Sequence, residues 1–381
     1  MTYDLVVVGG GPAGLATAIL GRLDGLRVVV LERRRPPLDK ACGEGLMPAG
    51  VRRLGEMGVV LPPADWAPFA GVRFIDGELE AVARFGTGQG RGIRRTTLSA
   101  ALVERALAVG VDLRFDADVT RWGADAAGGW AETRDGRYDG RVLVGADGLH
   151  SRVRSLLGGA SARRHQRFGI RRHYAVAPWS HHVEVYFGDG FEAYVTPIGG
   201  GEVGVALLGE SAVLRRHDLV ASLPRLAAHL GDAAPTSASR GAGPLEQVVR
   251  HTAGRGVALV GDASGYVDAL TGEGLTLAFA QARALVDTVV KGAPLAEYVV
   301  AHRALTRSYV ELTRLLLAVT RRRAVRRAVI AALAEEPTTF ERLLSAIADG
   351  QHLELRALGR VAGRAATDLA RGLVSPRTQR S

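Results

Sequence analysis

The stretch DLVVVGGGPAGLATAILGRLDGLRVVVLE, residues 4–32, decides the fold. An uninterrupted apolar run at 5–8 predicts a strand buried on both faces. Gly9, Gly11 and Gly14 follow it in G-x-G-x-x-G spacing, and Pro12 stands where a first helical residue is expected. Gly9 permits the tight reversal, Gly11 lets the backbone approach a pyrophosphate with no Cβ in the way, and Gly14 lets the helix pack close on the strand. That helix, expected to run to about Leu23, points its free N–H groups and positive dipole end at the phosphate. A second apolar strand at 28–31 ends in Glu32, whose carboxylate can accept hydrogen bonds from two ribose hydroxyls and would repel a 2′-phosphate. Strand, glycines, helix, strand and terminal acid in this order predict a dinucleotide site, and they leave NAD and FAD both open.

The 381 residues, 47% of them hydrophobic, can bury a large core and imply one or two domains. No apolar run approaches the roughly 20 residues of a membrane span, and the chain begins directly on a strand. A soluble cytoplasmic protein without a leader is therefore expected. The single cysteine, Cys42, leaves no internal disulfide and no cysteine-built metal site, so no metal is expected. The formal charge of +10 is nearly all arginine, with lysine only at 40 and 291, in a chain rich in alanine and glycine. That skew reads as biased composition rather than a phosphate-binding surface, and no nucleic-acid partner is expected. Nothing in the sequence fixes the oligomeric state.

Beyond Glu32, the basic turn Arg33-Arg34-Arg35 and the loop around Asp39 to Leu46 lead into a short helix near 48–57. Two alternating bursts, 72–75 and 79–85, flank Asp76-Gly77 and predict a hairpin. A helix is expected at 97–108, strands at 111–115 and near 118–122, a hairpin arm at 130–138 and a short buried strand at 141–145. From about 163 to 208 the pattern is antiparallel and reads as a sheet of its own. A buried strand type returns at 257–260, and helices close the chain. Leu305, Tyr309, Leu312, Leu316 and Val319 recur at helical spacing before Arg321-Arg322-Arg323 breaks the stripe. Those arginines read as a solvated face, with peripheral association at an anionic lipid surface as the sharper alternative.

Three distant pieces need one explanation. Besides the glycine turn, the strand at 141–145 ends in Ala146-Asp147-Gly148, and the strand at 257–260 ends in Gly261-Asp262, with Gly272-Glu273-Gly274 opening a helix soon after. Strand ends on one edge of a parallel sheet are where ligands bind, and Asp262 there can hold ribityl or phosphate-linker hydroxyls. The helix after Gly274 can present N–H groups to flavin carbonyls. NAD needs one such unit; the longer FAD needs all three.

Together these residues resemble the FAD-binding fold of group A flavoprotein monooxygenases, flavin halogenases and geranylgeranyl reductases over roughly the first 300 residues. The resemblance implies an α/β chain with a Rossmann-like FAD-binding domain of the GR2/PHBH type, an inserted antiparallel β-sheet substrate domain and C-terminal helices. The FAD-binding domain is expected to be discontinuous, at 1–70, 96–160 and 245–300. The substrate domain is expected at 71–95 and 161–244, and the helical region at 301–381. The implied cofactor contacts are Gly9, Gly11, Pro12, Ala13, Gly14, Glu32 and Arg33 in the first unit; Cys42, Gly43, Arg95 and Val119 between; Asp147 and Gly148 of the DG motif; and Asp262, Gly272, Glu273, Gly274 and Leu275 in the third.

Lys40-Ala41-Cys42-Gly43 is similar to the K-x-C-G loop of the geranylgeranyl reductase branch, and residues 270–275, LTGEGL, resemble its L-T-G-E-G-I segment. Residues 192–197, EAYVTP, keep only one aromatic of that branch's Y-x-W-x-F-P run, and Ala269 stands where the family usually has proline. The W-x-W-x-I-P signature of tryptophan-type halogenases is absent, and Trp179 alone does not replace it.

The resemblance implies an FAD-dependent oxidoreductase with NAD(P)H as reductant, in which the flavin carries the hard chemistry. A monooxygenase that hydroxylates or epoxidises a hydrophobic or aromatic metabolite through a flavin hydroperoxide ranks first. A reductase that saturates isoprenoid double bonds ranks second, and a halogenase or a non-catalytic flavin-binding protein last. Candidate side chains at the substrate are Cys42, which by resemblance sits over the flavin, and Tyr186 and Tyr194 on the inserted sheet. On the strand after His182, Glu184 and Tyr186 share one face and Val183, Val185 and Phe187 the other; Tyr194 and Thr196 share a face on the next.

Overall fold

The computed structural model describes residues 2–161, 166–216, 218–349 and 355–370. The first residues of the antiparallel stretch expected from 163, and residues 371–381 of the C-terminal region, lie outside the described residues. The opening strand forms at Tyr3–Val8 and pairs in parallel with Val28–Leu31 on one side and Gly136–Gly145 on the other. Val257–Leu259 and Asp112–Arg114 extend this sheet in parallel at either end. Its strands are apolar because both faces are covered. Helix Pro12–Leu23 packs against Arg95–Ala108 and Gly274–Val290 on one face, while Val6, Val29 and Leu143 face a second cluster on the other.

The strand ends are in register. Val8 lies opposite both Leu31 and Gly145, and Gly145 lies opposite Leu259. Everything that follows these four residues in sequence, from Gly9 and Glu32 to Asp147 and Asp262, therefore emerges at one edge. Two expected elements differ in extent. The strand expected near 118–122 forms at Arg121–Asp125, and the arm at 130–138 and the strand at 141–145 are joined: Gly136–Gly145 is one strand. Its first half is a hairpin partner of Gly128–Thr133 and its second half enters the parallel sheet. Gly140 makes the passage, since a Cβ there would come within 2.9 Å of Val6 Cγ2.

A second, seven-stranded sheet runs in the order Arg240–Ala242, Arg167–Tyr174, Glu202–Glu210, Phe191–Ile198, Val183–Phe187, Gly71–Asp76 and Leu79–Arg84. It was expected to be antiparallel throughout, but Val183–Phe187 pairs in parallel with Gly71–Asp76. These two strands are joined by most of the parallel-sheet domain rather than by a turn, so no hairpin dictates their direction. The sheet is covered on both faces. On one, Tyr186, Val195 and Val205 pack with Leu226 and Leu230 of helix Pro224–Leu230. On the other, Val72, Val185 and Phe187 meet Ile330 and Leu333 of helix Arg323–Glu335 and Phe340 and Leu344 of helix Pro337–Asp349.

The closing helices are thus a lid on this sheet. Arg326 is buried there on Asp76 at 2.8 Å, whereas Arg321, Arg322 and Arg323 are exposed at the turn after helix Leu295–Thr320. Among the described residues no helix is long and apolar enough to cross a membrane.

Candidate active site

The first corner is closed by its own glycines. Gly9 has φ +108°, and a Cβ on it would come within 2.5 Å of the Ala146 carbonyl oxygen, so the turn and the second corner lie back to back. At Gly14 a Cβ would overlap the Gly9 carbonyl. Gly11 differs: it has an ordinary extended backbone, and the nearest atom to a Cβ there is Arg95 Nη2 at 4.0 Å. The space it leaves is open to a cavity of about 820 Å³ that runs along the common strand edge and on to the seven-stranded sheet. Glu32 is buried beside the turn, one oxygen accepting from Gly10 N at 2.7 Å and the other from Arg34 N at 3.0 Å. A carboxylate has about four acceptor positions, so capacity for ribose hydroxyls remains.

At the second corner, Asp147 accepts from the Arg152 N–H at 2.6 Å through one oxygen, while the other is buried without a partner. At the third, Asp262 meets Lys40 Nζ at 3.1 Å, which draws the loop after Leu38 over the corner. Arg154 ties the second corner to the third. It is 3% exposed and donates to the carbonyls of Leu149, Asp262 and Ala263 and to Gln247 Oε1, all at 2.9–3.1 Å. Sequence reasoning missed it; seven residues past Asp147 it carries no motif signal.

Behind the third corner, Ser264 donates to the Gly261 carbonyl at 2.8 Å and so accepts from His302 Nε2–H, also at 2.8 Å. Burial pushes the His302 pKa down to about 4. An unfolded histidine titrates near 6.5, so between pH 6.5 and 4 the unfolded chain takes up a proton that the folded one refuses, and stability falls over that window by about 3 kcal/mol. His302→Gln should lose stability at pH 7 but decline less towards pH 4 in urea unfolding; curves that stay parallel from pH 7 to pH 4 would contradict this assignment.

The expected site residues are largely brought together. Gly9, Gly11, Pro12, Ala13, Glu32 and Arg33 line the cavity, as do Cys42, Gly43, Arg95 and Val119. So do Asp147, Gly148, Asp262, Gly272, Gly274 and Leu275, and Tyr194 on the seven-stranded sheet. Three are placed otherwise. Gly14 packs inside the turn. Glu273 is the residue before helix Gly274–Val290, buried behind the wall with its pKa pushed up to about 7 by desolvation.

Tyr186, expected at the substrate, lies on the far face of the sheet, 2% exposed, donating to Glu184 Oε2 at 2.6 Å. That face is covered: Trp179 also donates to Glu184, at 2.9 Å, and stacks on His229. The strand's apolar face is the one turned to the cavity. Register carries it across in one row, Arg171, Ala206, Tyr194, Val185 and Phe74, which ends at the Phe340 ring 5.0 Å from Phe74. Tyr194 donates to the Leu270 carbonyl at 3.2 Å.

The donor set fits a flavin dinucleotide. Helices Pro12–Leu23 and Gly274–Val290 both open at the cavity without side-chain caps. Arg95 Nε and Asp147 Oδ1, on residues of its wall, are buried without partners in the protein. An FAD binding domain family model matches residues 2–196. The chain belongs to this FAD-binding family.

The menaquinone reductase of Mycobacterium tuberculosis is 30% identical over 302 residues, 71% of this chain and 72% of that protein. Digeranylgeranylglycerophospholipid reductase 2 of Methanopyrus kandleri is 27% identical over 301 residues, 72% of this chain and 74% of that one. A flavoprotein/dehydrogenase of Cytophaga hutchinsonii superposes over 98% of this chain and 99% of its own with a TM-score of 0.81 at 17% identity, a likeness of fold. The protein is an FAD-dependent oxidoreductase.

Proposed function

We propose that this FAD enzyme is a reductase that saturates a carbon–carbon double bond of a hydrophobic isoprenoid, with NAD(P)H as the hydride source. The observation that carries the reading is the wall opposite the glycine turn: an apolar row through Ala206, Tyr194, Val185 and Phe74 to Phe340, headed by the Lys40–Gly43 loop. An extended hydrocarbon gains from burial along such a wall and needs few polar handles. The reductase relatives, aligned over about seven-tenths of the chain, support the same reading over the oxygenase ranked first from the sequence.

When bound, FAD would supply the two-electron chemistry, accepting hydride from a nicotinamide and passing it to a double bond. The chain's part is to hold and to exclude water. Gly9, Gly11 and the start of helix Pro12–Leu23 would hold the pyrophosphate, Glu32 the ribose, and the start of helix Gly274–Val290 the ring's carbonyl edge. The second hydrogen of saturation is a proton, and in this proposal Cys42, which lines the cavity, gives it. Burial pushes its thiol pKa up, so the proton is present at neutral pH, and the thiolate left behind recovers one from solvent.

The test is product mass from geranylgeraniol with and without dioxygen. Two added hydrogens in both cases are expected; one added oxygen that vanishes anaerobically would overturn the reading in favour of the monooxygenase.

A further inference from the structure

The loop that carries Lys40 and Cys42 is fastened at one residue. Glu44 sits in the left-handed region at φ +60°, and the residue is 3% exposed. One oxygen accepts the first free N–H of helix Arg95–Ala108, from Arg95 at 2.8 Å, and lies 3.8 Å from Arg171 Nε. The other meets His173 Nε2 at 2.6 Å. The histidine's tautomer follows from its second nitrogen. Nδ1 lies 2.8 Å from Ser237 Oγ, which donates or accepts, and 3.1 Å from Arg171 Nη1, which only donates; with Nδ1 accepting, Nε2 carries the proton given to Glu44.

One carboxylate thus joins the cofactor-side helix to the seven-stranded sheet, and the short loop between Leu38 and Gly45 is drawn taut around it. Two contacts at the loop repeat the arrangement: Thr196 donates to the Gly43 carbonyl at 2.8 Å, and Asp39 is held by Arg171 and Arg240.

We infer that Glu44 and His173 are positioning residues that fix the Lys40–Cys42 segment against the cofactor cavity, so that the sheet binding substrate and the loop facing the flavin move as one. An amide replaces the acid poorly. In Glu44→Gln one oxygen remains for two donors; if it serves Arg95 N–H, the NH₂ meets the histidine Nε2–H, and moving that proton to Nδ1 sets it against Arg171 Nη1.

The chain's single cysteine makes this measurable without turnover. Cys42 is half-buried, with Glu44 N donating to its sulfur at 3.3 Å. The probe is N-ethylmaleimide labelling of the apoprotein, followed across pH. Loosening the loop raises the plateau rate at high pH, whereas loss of the Glu44 charge alone shifts only the midpoint.

Glu44→Gln and His173→Gln are each expected to raise the plateau roughly tenfold and to weaken FAD binding by a similar factor. Tyr298→Phe is the control. It removes a 2.6 Å hydrogen bond to the Leu259 carbonyl in the core, lowers stability, and should leave the plateau unchanged. If Glu44→Gln does not fold, His173→Gln, which keeps the carboxylate, decides. Plateau rates within twofold of wild type, a shifted midpoint alone, or an equal rise in Tyr298→Phe would each overturn the inference.

Discussion

Gly11→Ala should leave the apoprotein at least as stable as wild type and weaken its hold on FAD by roughly tenfold to a hundredfold. The backbone at Gly11 is one any residue adopts, and a Cβ there meets nothing nearer than 4.0 Å. Replacing glycine at such a position stabilises by about 0.4–1 kcal/mol through the unfolded chain. The added methyl would instead project into the cavity, where the backbone must approach the pyrophosphate, and overpacking of that size costs about 1–3 kcal/mol of binding. Gly14→Ala behaves oppositely, since its Cβ overlaps backbone of the turn itself and the helix must move away. It should lose stability and cofactor together. Thermal unfolding of the two apoproteins beside their FAD affinities separates the roles; equal loss of stability in both would show that Gly11 serves packing alone.

Arg154→Met is expected to cost about 4 kcal/mol and to release FAD on desalting. The substitution keeps much of the apolar stem but strands the buried Leu149 and Ala263 carbonyls and the Gln247 amide oxygen, each worth about 1–3 kcal/mol when left unpaired, and leaves the Asp262 carbonyl with Gly265 N. Against a typical total of about 5–15 kcal/mol, that is a large fraction. Arg154→Lys should recover little, because one ammonium cannot span the two corners as the planar fork does. Urea unfolding and retained flavin absorbance are the measurements, and an Arg154→Met protein that unfolds and stays yellow like wild type would refute the hub.

What could be read from sequence was whatever local pattern dictates. The strand Tyr3–Val8, helix Pro12–Leu23, strand Val28–Leu31 and the three corners follow from apolar runs and glycine spacing, because both are short-range consequences of sterics and burial. The same logic put Glu184 and Tyr186 on one face and Val183 and Val185 on the other, but alternation alone does not tell which face meets the cavity when both are covered. Glu184 is buried because partners beyond its own strand join Tyr186 in satisfying it: Trp179 precedes the strand and Arg73 lies on the neighbouring one. Glu44 and His173 are 129 residues apart, and Arg154 reaches partners 93 to 109 residues away. The first pair exists only once the two sheets are docked and the second only once the parallel sheet has assembled, and no local rule announces either.

The account rests on Val8, Leu31, Gly145 and Leu259 ending level, so that three glycine-and-aspartate corners share one long ligand. Titration of the apoprotein with FAD and, separately, with NAD⁺ tests this most directly. One FAD per chain, bound at least about a thousandfold more tightly than NAD⁺, is the result expected from a site that uses all three corners. Equal affinities, or saturable binding of NAD⁺ without FAD, would mean that only the first corner holds a nucleotide.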